Sequence, residues 1–130
     1  MKAILLFGKS RSGKTTTIAS VYKELIEMGA KIHKARGDDT DFEAILIYKG
    51  KKIGFHSMGD VLKNVEGAIR RFKTYGCDIL ICACNDKFIT WEKRIGKHIA
   101  ERVTKNARNN IDNNRCRDEI IVHIQRMVSE

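Results

Sequence analysis

The chain has 130 residues, a formal net charge of +9, 42% hydrophobic residues and four cysteines. This length suits one compact domain, so we expect residues 1–130 to form a single folded unit. No run approaches the roughly 20 consecutive apolar residues of a membrane span, which argues against a membrane protein. The excess of basic residues favours phosphate-rich ligands or partners.

Residues 2–7 form a short apolar run of the kind found in a buried parallel strand. Charged residues follow at once at Lys9, Arg11 and Lys14, which is unlike a signal peptide and predicts a cytoplasmic protein. Residues 15–28 then carry apolar side chains at helical spacing, and Gly29 suits the position after a helix end.

The next segment, residues 30–41, is polar and predicts an irregular connection. The two β-rich runs at 42–48 and 52–57 are separated by Lys-Gly-Lys, which predicts a hairpin. A second amphipathic helix is predicted to open near Gly59 and Asp60.

Residues 78–84 are the most apolar run of the chain and predict a central strand. A helix is predicted over 90–108, where four apolar residues recur every four positions: Trp91, Ile95, Ile99 and Val103. The Asn-rich stretch at 109–114 is expected to end it. A last helix follows; its centre, 120–124, could be a strand, but the longer window favours a helix. The alternation predicts an α/β, three-layer sandwich with a short, mostly parallel sheet and one hairpin.

The four cysteines are Cys77, Cys82, Cys84 and Cys116. They lack the CxxC spacing of a zinc site, which favours buried free thiols in a reducing compartment.

One segment matches G-x-x-x-x-G-K-[ST] at every fixed position: Gly8, Lys9, Ser10, Arg11, Ser12, Gly13, Lys14 and Thr15. An apolar strand precedes the segment and an amphipathic helix follows it, as the motif requires. Its two glycines permit backbone angles and a close approach that a side chain would prevent. The segment therefore predicts a phosphate-binding loop that meets a helix N-terminus.

Each position has an expected role. The backbone amides from Lys9 to Thr15, with Thr16 just beyond, are expected to surround the phosphates of ATP. Lys14 is expected to reach the β- and γ-phosphates and to act in catalysis, while the Thr15 hydroxyl is expected to bind Mg²⁺.

These residues resemble the Walker A motif of the P-loop NTPase superfamily, over residues 1–30 in detail and over the remainder in the alternation of strands and helices. The chain also resembles small bacterial and phage P-loop proteins that carry a hairpin after the first helix. The resemblance implies a P-loop NTPase-like fold that binds a nucleoside triphosphate and Mg²⁺.

P-loop enzymes usually place a carboxylate near Mg²⁺ at the end of a neighbouring strand. Asp60 is the first choice as metal ligand and catalytic carboxylate, although an aspartate here could simply cap a helix. Asp86, after the strand at 78–84, is the second choice. Asp78 begins that strand and is expected at the wrong end of the sheet.

The hairpin followed by Ser-Met-Gly-Asp is similar to the arrangement of small GTPases, but His56 and Ser57 stand where an aspartate is expected. The guanine-reading N-K-x-D is missing as well, since Asn85, Asp86 and Lys87 come in another order. These departures favour ATP over GTP.

Three functions remain open. The first is a Mg²⁺-dependent ATP hydrolase or nucleotide-dependent switch. The second is a kinase of a nucleotide, nucleoside or polynucleotide end, for which the sequence shows no clear arginine-bearing lid. The third is a nucleotide-stabilised module whose basic surface binds nucleic acid or protein.

Overall fold

A computed structural model describes residues 1–37, 41–58, 62–87 and 91–130. Its strands form one mixed sheet in the order β2-β3-β4-β5-β1-β6. The strands are β1 (Lys2–Gly8), β2 (Lys31–Gly37), β3 (Phe42–Tyr48), β4 (Lys51–His56), β5 (Ile79–Asn85) and β6 (Ile99–Thr104). The four strands β4, β5, β1 and β6 run parallel to one another, whereas β3 pairs antiparallel with both β2 and β4. The apolar β1 and β5 therefore lie side by side in the interior of the sheet.

Helices cover both faces of this sheet. They are α1 (Lys14–Glu27), α2 (Leu62–Thr74), the short α3 (Trp91–Ile95) and α4 (Asn110–Val128). Successive side chains of a strand point to opposite faces, so Ile4 and Leu6 of β1 pack with α1 and α4, while Leu5 packs with α2. Each face thus has its own apolar core, as expected of a three-layer α/β sandwich. Among the described residues, no helix is both long and apolar enough to cross a membrane.

The N-terminal elements follow the sequence predictions closely. The helix at 15–28 is α1, and Gly29 after it adopts a left-handed φ of 104°. The amides of Gly29 and Ala30 bond to the carbonyls of Ile26 and Leu25, which closes the helix end. The predicted hairpin is the β3–β4 pair, turned by Lys49 and Gly50, both with positive φ. The central strand at 78–84 is β5, and the predicted buried free thiols are confirmed for all four cysteines.

The prediction of an irregular connection over 30–41 is wrong, because Lys31–Gly37 forms the edge strand β2. All seven of its residues are exposed, since β2 lies at the rim of the sheet. A strand without a buried face needs no alternation of apolar and polar residues, so residues 31–37 show no periodicity that would indicate a strand.

The predicted helix over 90–108 is also wrong. Within the described part of this range, residues 91–108, only α3 and a single 3₁₀ turn at Gly96–His98 are helical, and Ile99–Thr104 forms the parallel edge strand β6 beside β1. Residues four apart lie on one face of a helix, but four is also an even number, so they share a face of a strand. Ile99 and Val103 fit both patterns, and pairing with β1 decides between them.

The last helix is confirmed as α4, which includes residues 120–124, the stretch that could also have formed a strand. The Asn-rich stretch opens this helix instead of ending the preceding one. Asn109 caps α4, since its side-chain oxygen accepts a 2.8 Å hydrogen bond from the Asp112 amide.

Candidate functional site

The segment of residues 8–15, here called the glycine loop, joins β1 to α1 at the carboxyl end of the sheet. Its turn uses left-handed backbone at Arg11 (φ 62°) and Gly13 (φ 91°), and the Ser12 amide bonds to the Lys9 carbonyl at 3.2 Å. A Cβ atom on Gly8 would lie 2.6 Å from Ser12 Oγ and 2.9 Å from Lys105 Cβ. Both glycines are therefore required by the path of the chain.

The loop presents the N-terminus of a 14-residue helix to its surroundings. Among the described residues, no side chain forms a capping hydrogen bond at Gly13, the residue before α1. The first amides of a helix, here those of Lys14, Thr15 and Thr16, have no intrahelical acceptor and carry the positive end of the helix dipole. Because Lys9 and Ser10 are exposed and Ser12 is half-buried, an anion can approach these amides from solvent.

The Lys14 side chain folds back into the loop. Its ammonium donates to the carbonyls of Gly8 at 3.0 Å and Lys9 at 2.7 Å, and the residue is only 7% exposed. Both acceptors are loop carbonyls, so the ammonium can exchange them for phosphate oxygens without disturbing the apolar core.

The end of β4 approaches the same helix terminus. The Thr15 hydroxyl lies 3.5 Å from the Ser57 carbonyl oxygen, at the limit of a hydrogen bond. Ser57 is in turn fixed to β3, because its Oγ accepts from the Phe42 amide at 2.8 Å and its amide donates to the Phe42 carbonyl at 3.1 Å. Asp60 follows Ser57 by three positions but lies outside the described residues, so its predicted metal and catalytic roles stay predictions.

The end of β5 contacts the first residues of the glycine loop, Gly8 and Ser10. The Asn85 Nδ2 donates to Ser10 Oγ at 3.1 Å, and the Asp86 amide donates to the Gly8 carbonyl at 3.1 Å. Asp86 itself is exposed. Sequence reasoning missed Asn85, although a polar residue that ends an apolar strand beside β1 could have suggested it. Asp78 lies at the opposite end of β5, as predicted, where it accepts from the Lys52 amide.

A buried ion network, also missed, supports the other side of the loop. Lys105 follows β6; its amide bonds to the Phe7 carbonyl at 2.7 Å, and its ammonium pairs with the Asp112 carboxylate at 2.7 Å. The Lys105 side chain has no exposed surface. Asp112 also accepts from Arg115 and from the amides of Asn106 and Ala107. Both partners of the buried pair are therefore extensively hydrogen-bonded.

Burial alone would raise the pKa of Asp112. The hydrogen bonds from Lys105, from the Ala107 amide and from Arg115 outweigh it and hold the pKa of this carboxyl well below its ordinary value. The carboxylate therefore stays charged at neutral pH.

The network reaches the loop through the next residue of α4. Asn113 Oδ1 accepts a 3.3 Å hydrogen bond from the Thr17 hydroxyl and would lie 3.0 Å from a Cβ atom on Gly13. The first turn of α4 thus packs directly against the start of α1.

His56, the strand histidine near this edge, lies in a separate buried cluster with Glu43. Its Nδ1 lies 2.9 Å from Glu43 Oε1, and Glu43 also pairs with Arg36 and Arg71. Burial lowers the pKa of His56 more than the Glu43 carboxylate raises it. Since the histidine is only 1% exposed, its contacts are those of a packing residue that ties β4 to β3.

Comparisons with protein-family models, with curated proteins and with solved structures each give no significant match.

Proposed function

We propose that the chain is a P-loop protein that binds ATP at the glycine loop and hydrolyses it slowly, or uses it as a switch, with Mg²⁺. The observation that carries the proposal is the Lys14 ammonium, held inside a two-glycine loop at a helix N-terminus that no described side chain caps. Amides, a helix dipole and one buried cation together form a site for a polyphosphate.

Mg²⁺ fits the atoms beside Thr15. The Thr15 hydroxyl and the Ser57 carbonyl present two oxygens at the open end of the loop, and hard cations prefer oxygen ligands. Thr15 and Asp60 would hold the ion, with Asp86 as the alternative carboxylate. When bound, the ion would supply positive charge that neutralises the phosphate oxygens.

The residues of the chain would then contribute as follows. Lys14 would leave the Gly8 and Lys9 carbonyls and bind the β- and γ-phosphate oxygens, where negative charge develops during transfer. The amides of residues 9–16 would orient the triphosphate. The backbone donors at the start of α1 are already placed by the helix, so the main rearrangement on binding would be the release of Lys14 from the two loop carbonyls.

A second candidate function, phosphoryl transfer to a small acceptor, is favoured by one observation. A groove of about 220 Å³ lies beside α1, one helical turn from Thr15. We also propose a cytoplasmic location, which the buried free thiols support.

The experiment is a calorimetric titration of the protein with ATP, with and without Mg²⁺, followed by competition with GTP. ATP should bind at least as well as GTP, since no N-K-x-D element is present to read guanine. Strong preference for GTP would contradict the choice of ATP, and no binding of either nucleotide would contradict the P-loop assignment.

A further inference from the structure

The groove beside α1 lies between that helix and the antiparallel pair β2–β3. It has a volume of about 220 Å³, below the roughly 300–1,000 Å³ of pockets for drug-sized ligands. The groove therefore holds a single ring system, and any larger substituent of that ring would extend into solvent. Its lining residues are Ala19, Tyr22, Lys23, Ala35, Arg36, Gly37, Phe42 and Ala44.

The floor of the groove consists of small residues on paired strands. Ala35 of β2 lies opposite Ala44 of β3, and Gly37 lies opposite Phe42. A Cβ atom on Gly37 would lie 2.1 Å from the Asp41 carbonyl oxygen, so this position cannot carry a side chain. Small residues at three neighbouring positions leave a shallow, flat surface.

Aromatic rings form the wall. The rings of Tyr22 and Phe42 have centroids 5.8 Å apart at an angle of 59°, and Tyr22 also packs edge-on against Phe55 at 5.6 Å. The Tyr22 phenol is protonated at neutral pH and can donate a hydrogen bond, and burial raises its pKa further. A planar ring placed between this wall and the alanine floor would be well packed.

The charge at the rim comes from Lys23. It is exposed, and the described residues provide no carboxylate partner for it. Arg36 also lines the groove, but its guanidinium pairs with Glu43, the residue that follows Phe42 on β3. An anionic substituent of a bound ring would thus meet one available ammonium.

The groove is connected to the glycine loop by two short routes. Along α1, Ala19 lies one turn beyond Thr15. Across the sheet, Phe42 exchanges two hydrogen bonds with Ser57, whose carbonyl approaches the Thr15 hydroxyl. A ligand in the groove would therefore lie next to the metal and γ-phosphate end of the proposed ATP site.

From these contacts we infer a second ligand site in this groove, for an aromatic heterocycle that carries one anionic group, the chemistry of a nucleoside monophosphate. The ring lies on the exposed Ala35 against Tyr22 and Phe42, and the phosphate binds Lys23. The inference rests on the proposed function only in its position beside the ATP site.

The test is calorimetry with AMP, adenosine and inorganic phosphate as probes, each with and without a saturating non-hydrolysable ATP analogue and Mg²⁺. We expect AMP to bind more tightly than adenosine, and adenosine more tightly than phosphate. In amide NMR spectra AMP should shift Ala35, Gly37 and Ala44. If AMP shifts only residues 8–16, or does not bind once the analogue is present, the inference is overturned.

Two variants locate the site. Ala35→Leu, at an exposed position, should fill the groove and weaken AMP binding at least tenfold, whereas Ala100→Leu, its counterpart on the opposite edge strand, should not. Lys23→Gln should weaken AMP to the level of adenosine and leave adenosine binding unchanged. If Ala35→Leu remains folded, by circular dichroism, and binds AMP as the wild type does, the groove is not the site.

The two proposals fail separately. If the ATP analogue binds but AMP does not, the groove inference is wrong and the P-loop proposal stands. If AMP binding depends on Ala35 but no triphosphate binds, the P-loop proposal is wrong and the groove inference stands. Formation of ADP from AMP and ATP, lost in Ala35→Leu, would identify the groove as the acceptor site.

Discussion

The two flanks of the glycine loop are built differently. On the β6 and α4 side, Lys105 and Asp112 form a buried ion pair that Arg115 and two backbone amides complete. On the β4 and β5 side, the contacts that the described residues make with the loop are neutral and longer, 3.5 Å from Thr15 to Ser57 and 3.1 Å from Asn85 to Ser10.

We therefore expect the charged flank to hold the loop in place and the neutral flank to take part in the chemistry. A buried, fully bonded ion pair loses much when one partner is removed, so it holds the loop in one shape. The neutral contact from Thr15 to Ser57 lies at the distance limit of a hydrogen bond and is weak, so phosphate and metal can replace it at little cost. Substitutions on the charged flank should therefore lower stability more than activity, and substitutions on the neutral flank should lower activity more than stability.

The largest expected effect is on the charged flank. Asp112→Ala should lower the free energy of unfolding by about 3–5 kcal/mol, because it leaves the buried Lys105 ammonium unpaired. Urea unfolding followed by circular dichroism measures this. Asp118→Ala is the control on the same helix; Asp118 is exposed, so its loss should cost about 0.5 kcal/mol or less.

The same carboxylate should contribute to acid sensitivity. Its pKa is lowered in the folded state, so its contribution is complete above the ordinary aspartate pKa of about 3.9 and declines as pH falls below it. From pH 5 to pH 3 the wild type should therefore lose about 1 kcal/mol more stability than Asp112→Asn. Equal losses in the two proteins would contradict an ionised Asp112.

The neutral flank should respond in activity with little change in stability. Asp60→Asn should reduce Mg²⁺-dependent turnover by about tenfold or more, because the metal loses a charged ligand. Asparagine caps helices about as well as aspartate, so stability should change by about 1 kcal/mol or less. Asp86→Asn is the matched control and should reduce turnover less. If Asp86→Asn abolishes turnover while Asp60→Asn does not, the metal carboxylate lies after β5.

The sequence was most informative where one segment specifies its own structure. The glycine loop, with an apolar strand before it and a periodic helix after it, predicted β1 and α1 correctly from local residues. The hairpin was equally local, since Lys49 and Gly50 turn directly between two β-rich runs.

The missed features depend on distant pairing. Ile99 and Val103 fit a helix and a strand equally well, and only the free edge of β1 favours the strand. Once β6 was assigned to a helix, Lys105 could not be placed beside Phe7 or paired with Asp112. Asn85 was likewise unrecognised, because its contact with Ser10 depends on the alignment of β5 with β1.

The central claim, that the glycine loop binds a triphosphate through Lys14, is tested most directly by calorimetric titration of Lys14→Ala with ATP and Mg²⁺. Lys87→Ala, which removes an exposed lysine near the loop, is the control. Loss of a charged hydrogen bond of about 1.5–3 kcal/mol predicts about 10- to 150-fold weaker binding in Lys14→Ala, with an unchanged circular dichroism spectrum. Equal affinity of the wild type and Lys14→Ala would contradict the account.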